Sequence, residues 1–390
     1  MINFIVVGKC KRVVSAVLQA IRSFTDAKCV VIGSEATASL RWSSLCKRQF
    51  TMDMLGADDV RFVQAVNAIV KRTPHVVLIP ADCDAIRLVN RVRGQLQLRV
   101  TPIPDLATLD MFDNKWLFYQ FCTRHGLPVP ATRFIGAKSA LDYDAVAAEF
   151  GVPFVVKPLN QAGSTGVQII RSKAQFDTAI LNDASYDYGP LIVQRYIDGT
   201  DIDVSFLAIG GRLCAFAVQQ SAPSKIVFVQ NAELEALAAR LCHAGAYHGV
   251  MHVDARIDAA SGKVYLIESN PRFWATLTAS VWCGLNFVAE SILQAPRLNG
   301  ALCLTSGTAS TRHPLIRPSS WRQLIGDAGW RGRLLRAVAF DLPTLRDFAR
   351  ELPQTGMRYL NRRAGMLLKE PDAMPAIPEL RGNSLDGAVH

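Results

Sequence analysis

Residues 249–274 of this 390-residue chain read GVMHVDARIDAASGKVYLIESNPRFW. Asp254 lies in the first of two apolar segments. Glu268 and Asn270 hold alternate positions at the end of the second, and Arg272 follows two residues later. Short runs rich in Val, Ile, Leu and Tyr, split by Ser261-Gly262, predict a β-hairpin. Period-two alternation places Glu268 and Asn270 on one face, and Asp254 on the paired strand can share it. Three oxygen donors beside an arginine suit a hard divalent cation with phosphates attached. The competing reading is a surface hairpin with a salt bridge.

Four further constellations precede the hairpin. Lys115 follows Asp113-Asn114 on a predicted helix, and alone it is an ordinary surface lysine. Lys157 sits inside an apolar strand, PFVVKPL, where an ammonium is costly unless it meets an anion. Gly163, Ser164, Thr165 and Gly166 then form a short flexible loop whose amides and hydroxyls suit a phosphate. A plain hairpin turn explains this loop equally well. Gln194-Arg195-Tyr196-Ile197 is an extended stretch with a backbone edge that can pair with adenine. Asp201, seven residues after Gln194, can accept two ribose hydroxyls. Ser221 and Lys225 lie in a polar loop, QQSAPSKIV, for which simple solvation is the plainer reading.

The elements that must position these residues differ along the chain. INFIVVG (2–8), KCVVIG (28–33) and PHVVLIP (74–80) read as buried strands, with helix patterns near 12–24, 58–72 and 83–93 between them. Such alternation predicts a parallel sheet covered on both faces. No G-x-G-x-x-G follows Gly8, so a dinucleotide site is poorly supported there. A Pro-rich join at 101–106 leads into a predicted helix over 108–125, an extended LPVPATRFIG, and a helix near 139–150. From 153 closely spaced strands predict an antiparallel α+β region. NAELEALAARLCHAGAY (231–247) predicts a helix capped by Asn231. After the hairpin, TASVWCG and FVAESILQ read as helices, and 311–390 as partly helical with a loose end after 370.

Composition narrows the class. Half of the residues are hydrophobic and 19% are charged, a well-packed globular balance. No apolar run reaches the roughly 18–20 residues that span a membrane, so no membrane partner is expected. The nine cysteines are scattered without a C-x-x-C pair, which fits a reducing cytoplasm and argues against zinc. The net charge of +10 comes without an aromatic-interleaved basic motif, so no nucleic-acid partner is expected.

Taken in order, the lysine, the lysine with its Gly/Ser loop, the Gln-to-Asp hinge and Asp…Glu-x-Asn-x-Arg resemble the ATP-grasp superfamily over roughly residues 100–295. ESNPRFWATLTASVWCGLNF is similar to carboxylate–amine ligases related to the carbamoyl-phosphate synthetase large-chain group. The resemblance implies an α/β plus α+β architecture. Its parts are a Rossmann-like, pre-ATP-grasp parallel-sheet domain at 1–105 and a two-lobed ATP-grasp domain at 106–300. The small lobe spans about 125–195, the large lobe about 196–300, and a mostly helical extension covers 301–390. It implies ATP and two Mg²⁺ ions, with Mn²⁺ as a substitute. Lys115 and Lys157 would contact the α- and β-phosphates under the Gly163–Gly166 loop. Gln194, with backbone groups of Arg195 and Ile197, would face adenine, and Asp201 the ribose. Glu268 would bridge the two ions, with Asp254 on one and Asn270 on the other. Arg272 would stabilise the transferring phosphoryl group or the oxyanion that follows. Gln194 and Asp201 depart from the glutamates usual at those places.

The implied activity is ADP-forming joining of a small carboxylate to an amine, amino acids among them, through an acyl phosphate. Lys225 or Arg256 would pair with a substrate carboxylate. A bicarbonate-phosphorylating enzyme is the alternative, and it is weakened because no biotinyl or glutaminase segment is attached. A non-catalytic nucleotide-binding subunit is a third reading. The C-terminal region could cap the site, mediate homodimerisation or do neither.

Overall fold

The three apolar runs at the start of the chain form strands buried on both faces. In the computed structural model, which describes residues 3–161, 163–293 and 300–350, they are β1 (Asn3–Gly8), β2 (Cys29–Gly33) and β4 (Val76–Pro80). With β3 (Cys46–Thr51) and β5 (Arg99–Val100) they make a five-stranded parallel sheet in the order β3-β2-β1-β4-β5. The sequence pattern misses β3 because CKRQFT has one buried residue, two exposed cations and three half-buried residues, with no alternation, as an edge strand can. Helices α1 (Lys11–Phe24), α2 (Asp59–Arg72) and α3 (Cys83–Val92) fall on the predicted segments. The chain runs outward from β1 to β3 and then returns to β4. The carboxyl ends of β1 and β4 therefore flank the crevice where α/β sheets bind ligands.

The helix predicted over 108–125 is two helices, α4 (Leu106–Asp113) and α5 (Lys115–Arg124). Asn114 causes the break. Its side-chain oxygen accepts from Trp116 N at 3.0 Å and Leu117 N at 3.1 Å, which caps α5 and makes Lys115 its first residue. The next sheet is antiparallel: β6 (Thr132–Ile135), β7 (Phe154–Pro158), β8 (Gln168–Ile170) and β9 (Leu191–Arg195), in the order β6-β9-β7-β8. Phe154, Val156, Phe176, Leu191 and Val193 form its own small core.

The largest sheet holds seven strands. They are β10 (Gly199–Ile209), β11 (Arg212–Ala222), β12 (Lys225–Val229), β13 (Gly249–Asp258), β14 (Val264–Asn270), β15 (Leu302–Leu304) and β16 (Gly307–Ser310). Their order is β14-β13-β10-β11-β12-β16, with β15 parallel to β11. The sheet thus passes the predicted lobe end at 300 and continues to Ser310. The predicted helical extension begins after the sheet, with a 3-10 turn at Pro314–Ile316 and helices at Pro318–Gly326 and Trp330–Ala339. Gly307–Ser310 carries a single fully buried side chain, Ala309, too little apolar pattern to read as a strand. The loose end expected after 370 lies outside the described residues.

Alternation divides this sheet between two cores. Val204, Phe206, Val218, Met251 and Val253 face α5 and the helix Ala232–Ala244, which Asn231 caps as predicted. Leu207, Ala217, Val250 and Ile226 face the other way. They join Trp274, the helices Leu277–Cys283 and Phe287–Leu293, and Val13, Val14 and Val17 of α1 in a single cluster. The parallel sheet and the large antiparallel sheet therefore share one core. Asn286 reinforces it by donating to Ala20 O at 2.9 Å and Ser23 Oγ at 3.1 Å on α1.

Phe112 is the aromatic hub of the first face, with Phe121 at 5.1 Å and Tyr247 at 5.4 Å between ring centroids. Its carbonyl accepts from Ser269 Oγ at 2.6 Å, which ties α4 to β14. Replacing Phe112 by Ala should lower unfolding free energy by about 3–5 kcal/mol. Urea denaturation measures this, and a loss below about 1 kcal/mol would show that the cluster does not hold the sheet.

Candidate active site

The predicted hairpin is β13–β14. Asp254 pairs directly with Glu268, and His252 with Asn270. A register shift beyond Asp254 leaves Ile267 as the extra residue of a β-bulge. Glu268 and Asn270 stay in phase with Asp254 and His252 as a result. On the other side of β13, β10 sets Asp203 opposite Asp254 and Ser205 opposite His252. Six polar side chains thus occupy one face: Asp203, Ser205, His252, Asp254, Glu268 and Asn270. The polar patch continues the face that buries Leu207 and Val250 further along the same strands.

Two lysines meet this patch from other elements. Lys115, at the start of α5, lies 3.4 Å from Glu268 Oε2 and donates to Gln161 O at 2.6 Å. Its backbone amide also donates to Leu159 O at 3.1 Å. The segment after β7 is therefore tied to α5 at two points. Lys157 is only 2% exposed. Burial disfavours its ammonium and Lys115 adds repulsion; Glu268 and Asp254 oppose them, and the net pKa falls to about 8. Lys115, Lys157, Asp254 and Glu268 thus converge from α5, β7 and the hairpin.

Asp254 is the most heavily engaged carboxylate. Burial resists its ionisation, but donation from His252 (Nε2–Oδ1 3.0 Å), with help from Glu268 and Lys157, holds its pKa below the ordinary carboxylate range. His252 shows the reciprocal balance. Burial opposes its charge, while Asp254 and Asp203 outweigh it and raise its pKa. Asp203 is pushed up to about 6 by burial and by Asp254, against His252 and a hydrogen bond from Gln219. Asp254 and Glu268 approach within hydrogen-bonding reach of each other. Their oxygens fit a hard divalent cation; Asn270 turns its amide nitrogen to Asp254 Oδ2 at 3.4 Å.

Arg272 closes one end of the row. It donates to Asn270 Oδ1 at 2.9 Å and to Phe273 O at 2.8 Å. It also lines a cleft of about 940 Å³ with Lys9, Asp84, Arg87 and Asp113, at the carboxyl ends of β1 and β4. The Gly163–Gly166 loop joins β7 to β8. Gly163, Ser164 and Gly166 all have φ between 62° and 72°. Tyr188 lies so close to Gly166 that a Cβ there would sit 2.7 Å from its ring. Ser164 and Thr165 are exposed at the tip.

The hinge residues lie on β9 and β10. Gln194 is buried and donates its amide nitrogen to Thr132 Oγ1 at 2.9 Å. The Arg195 amide is used by Ala131 O at 2.9 Å, so this N–H is not available to a base. Asp201 is exposed and pairs with Arg256 at 2.9 Å. The two residues expected at a substrate carboxylate lie away from Arg272. Arg256 is held by Asp201 and the Gly199 carbonyl (2.6 Å), at the opposite end of the hairpin from Arg272. Lys225 is the exposed first residue of β12, separated from β13 by β10 and β11. Cross-strand charge pairing engages the first, and strand order sets the second apart from the hairpin.

Sequence reasoning missed Asp203, Ser205 and His252. The signal was present as two i, i+2 pairs, Asp203/Ser205 and His252/Asp254, in adjacent strands. Only the β10–β13 register turns those pairs into one patch.

Residues 112–276 match the ATP-grasp domain model, and the chain carries an ATP-grasp domain there. Among curated relatives, D-alanine–D-alanine ligase of Xanthomonas axonopodis pv. citri (strain 306) is 29% identical over 163 residues, 37% of this chain and 51% of that protein. The arginine-specific large chain of carbamoyl phosphate synthase from Geobacillus stearothermophilus is 26% identical over 203 residues, 47% of this chain and 19% of that protein. The chain spans about half the length of the ligase relatives it matches first. The L-amino acid ligase of Bacillus licheniformis shares the fold with a TM-score of 0.56 at 15% identity, over 77% of this chain and 75% of that one. All nine cysteines are free, and among the described residues no helix is long and apolar enough to cross a membrane.

Lys157 gives a pH test of this geometry. Its folded pKa, about 8, lies below the unfolded value near 10.5. Between those values the unfolded chain holds a proton that the folded one has released, so stability rises with pH. Below about pH 8 the burial cost is present in full. Wild-type stability relative to Lys157→Met should therefore rise by up to about 3 kcal/mol between pH 8 and 10.5. Urea unfolding across that range reads it, and a constant difference would mean that the ammonium is not desolvated.

Proposed function

We propose that this protein is an ATP-dependent, ADP-forming carboxylate–amine ligase acting on small molecules, amino acids among them. One observation carries the reading: two converging lysines, Lys115 and Lys157, face paired acids at one end of a row that finishes at Arg272 in an open cleft. Cations for a polyphosphate, acids for divalent ions and an arginine at the acceptor side are the parts phosphoryl transfer needs.

A carboxylate is a poor electrophile because its charge repels nucleophiles and oxide is a poor leaving group. Phosphorylation by ATP converts it to an acyl phosphate, an amine attacks the acyl carbon, and phosphate departs. In this reading Lys115 and Lys157 hold the α- and β-phosphates, beneath the amides and hydroxyls of Gly163, Ser164, Thr165 and Gly166. Desolvation makes the Lys157 ammonium a strong partner for an anion. Gln194 gives its nitrogen to Thr132, which leaves its oxygen to accept from the adenine amino group. The Arg195 carbonyl and the Ile197 amide pair with the ring. Asp201 receives the ribose, oriented by Arg256. Asp254, Glu268 and Asn270 would hold two Mg²⁺ ions. Bound there, the ions would neutralise charge across the β- and γ-phosphates. Arg272 steadies the group in transfer and the oxyanion that follows. The two ties from the 159–161 backbone to Lys115 fix the base of the phosphate loop. Its closure over the site would exclude water from the acyl phosphate. Nine free thiols, five of them buried, support a cytoplasmic setting. Homodimerisation is part of the proposal.

The test is ADP release across a panel of amino acids and small carboxylates, with and without an amine, scored also by product mass. Release that needs both partners and yields an amide is expected. Release with bicarbonate alone would replace the ligase by the bicarbonate-phosphorylating reading, and Mg-ATP binding without turnover would leave only a nucleotide-binding subunit. Glu268→Gln should reduce ADP formation at least about 100-fold, and Lys157→Ala should weaken nucleotide binding more than about tenfold. Near-normal rates in Glu268→Gln would remove the metal assignment.

A further inference from the structure

We infer that His252 is a positioning residue that fixes the Asp254 carboxylate for its metal, with Ser205 and Trp274 holding the imidazole in place. The inference rests on the metal role given to Asp254 above and adds three residues that role did not include.

His252 is restrained from three sides. Nε2 lies 3.0 Å from Asp254 Oδ1. Nδ1 lies 2.8 Å from Ser205 Oγ on the neighbouring strand. The ring stacks on Trp274, with centroids 5.7 Å apart and planes at 21°. Trp274 is 3% exposed and is itself braced edge-on by Phe287 at 5.1 Å. A side chain fixed at both nitrogens and one face has little freedom to move, and it transmits that order to the carboxylate it touches. Ring position also fixes which oxygen is used. Oδ1 of Asp254 is taken by His252, so Oδ2, beside the Asn270 amide at 3.4 Å, is the oxygen directed toward Glu268 and Asn270.

Asp203 explains why such a restraint matters. Ligand atoms of Asp203, His252 and Asp254 all lie within 4.8 Å of one another. Asp203 is the direct cross-strand neighbour of Asp254. Without the imidazole, the two carboxylates would be free to share a cation on the β10 side, away from Glu268 and Asn270. His252 takes Asp254 Oδ1 and leaves Oδ2 on the β14 side. A continuous polar row results, Ser205–His252–Asp254–Asn270–Arg272, linking the sheet interior to the cleft.

Hydrogen bonds to metal ligands typically change metal affinity by about 10–100-fold when removed. The experiment is Mn²⁺ titration of the full chain with a non-hydrolysable ATP analogue, read by the electron paramagnetic resonance of free Mn²⁺. His252→Ala should weaken Mn²⁺ binding about tenfold or more. His252→Gln, whose amide can still donate at the Nε2 position, should recover most of that loss. Ser205→Ala should lose about two- to threefold, and it keeps the test available if His252→Ala does not fold. Thermal melts accompany each variant. Unchanged Mn²⁺ affinity in a folded His252→Ala, or a folded His252→Gln as weak as the alanine variant, would overturn the inference. Glu268→Gln separates the two levels. If it too binds Mn²⁺ normally, the metal site itself is misassigned. If only the His252 variants bind normally, the positioning role alone fails.

Discussion

The structure depends on the burial of a positive charge. Lys157 sits in the apolar strand of a small sheet, where an ammonium is stable only if negative groups come to it. Glu268 and Asp254 reach it from the hairpin of the larger sheet, and Lys115 arrives beside it on α5. Much of the surrounding architecture serves that meeting. Asn114 breaks one predicted helix into two so that Lys115 stands at a helix start. The bulge at Ile267 keeps Glu268 and Asn270 in phase with β13. Ser269 anchors the same strand to α4. None of these devices binds anything; each sets where a charge lies.

The same electrostatic balance orders the ATP-grasp reading along the sheet. In the proposed reading Asp201 and Arg256 would mark the nucleoside end, the lysines and paired acids the polyphosphate, and Arg272 the acceptor cleft. The cleft opens at the carboxyl ends of β1 and β4, where the parallel sheet reverses its direction of travel. Residues after β1 and β4, the α4–α5 junction, the segment after β7 and Arg272 after β14 line this one cavity. Arg272 reaches it because it follows the last strand of the hairpin directly.

Much of this was legible in the sequence. Continuous apolar runs gave the parallel strands, and the Asn231 cap gave a helix start. Lys157 stood out because a lysine inside Phe-Val-Val-Lys-Pro contradicts its surroundings. What escaped notice depends on register. Asp203, Ser205 and His252 look unremarkable until β10 and β13 are aligned residue by residue, and no local pattern supplies that alignment. Arg256 looked available because its partner, Asp201, is 55 positions away in sequence and adjacent only across two strands. The short strands after 300 were invisible because strands of three and four residues with small side chains carry almost no periodic signal.

The core shared between α1 and the large antiparallel sheet has a consequence for modularity. The recognisable ATP-grasp stretch, 112–276, is not a self-sufficient cassette. Its sheet ends in strands encoded after 300, and the apolar back of β10, β11 and β13 is roofed by helices from both flanks. Excised alone, it would present Leu207, Ala217 and Val250 to water and leave β11 and β12 each short of a partner strand. Grafting such a unit onto another acceptor domain would therefore require transplanting the roof as well. Recombination among relatives of this architecture is constrained to breakpoints outside the shared core, whatever the boundaries of sequence similarity.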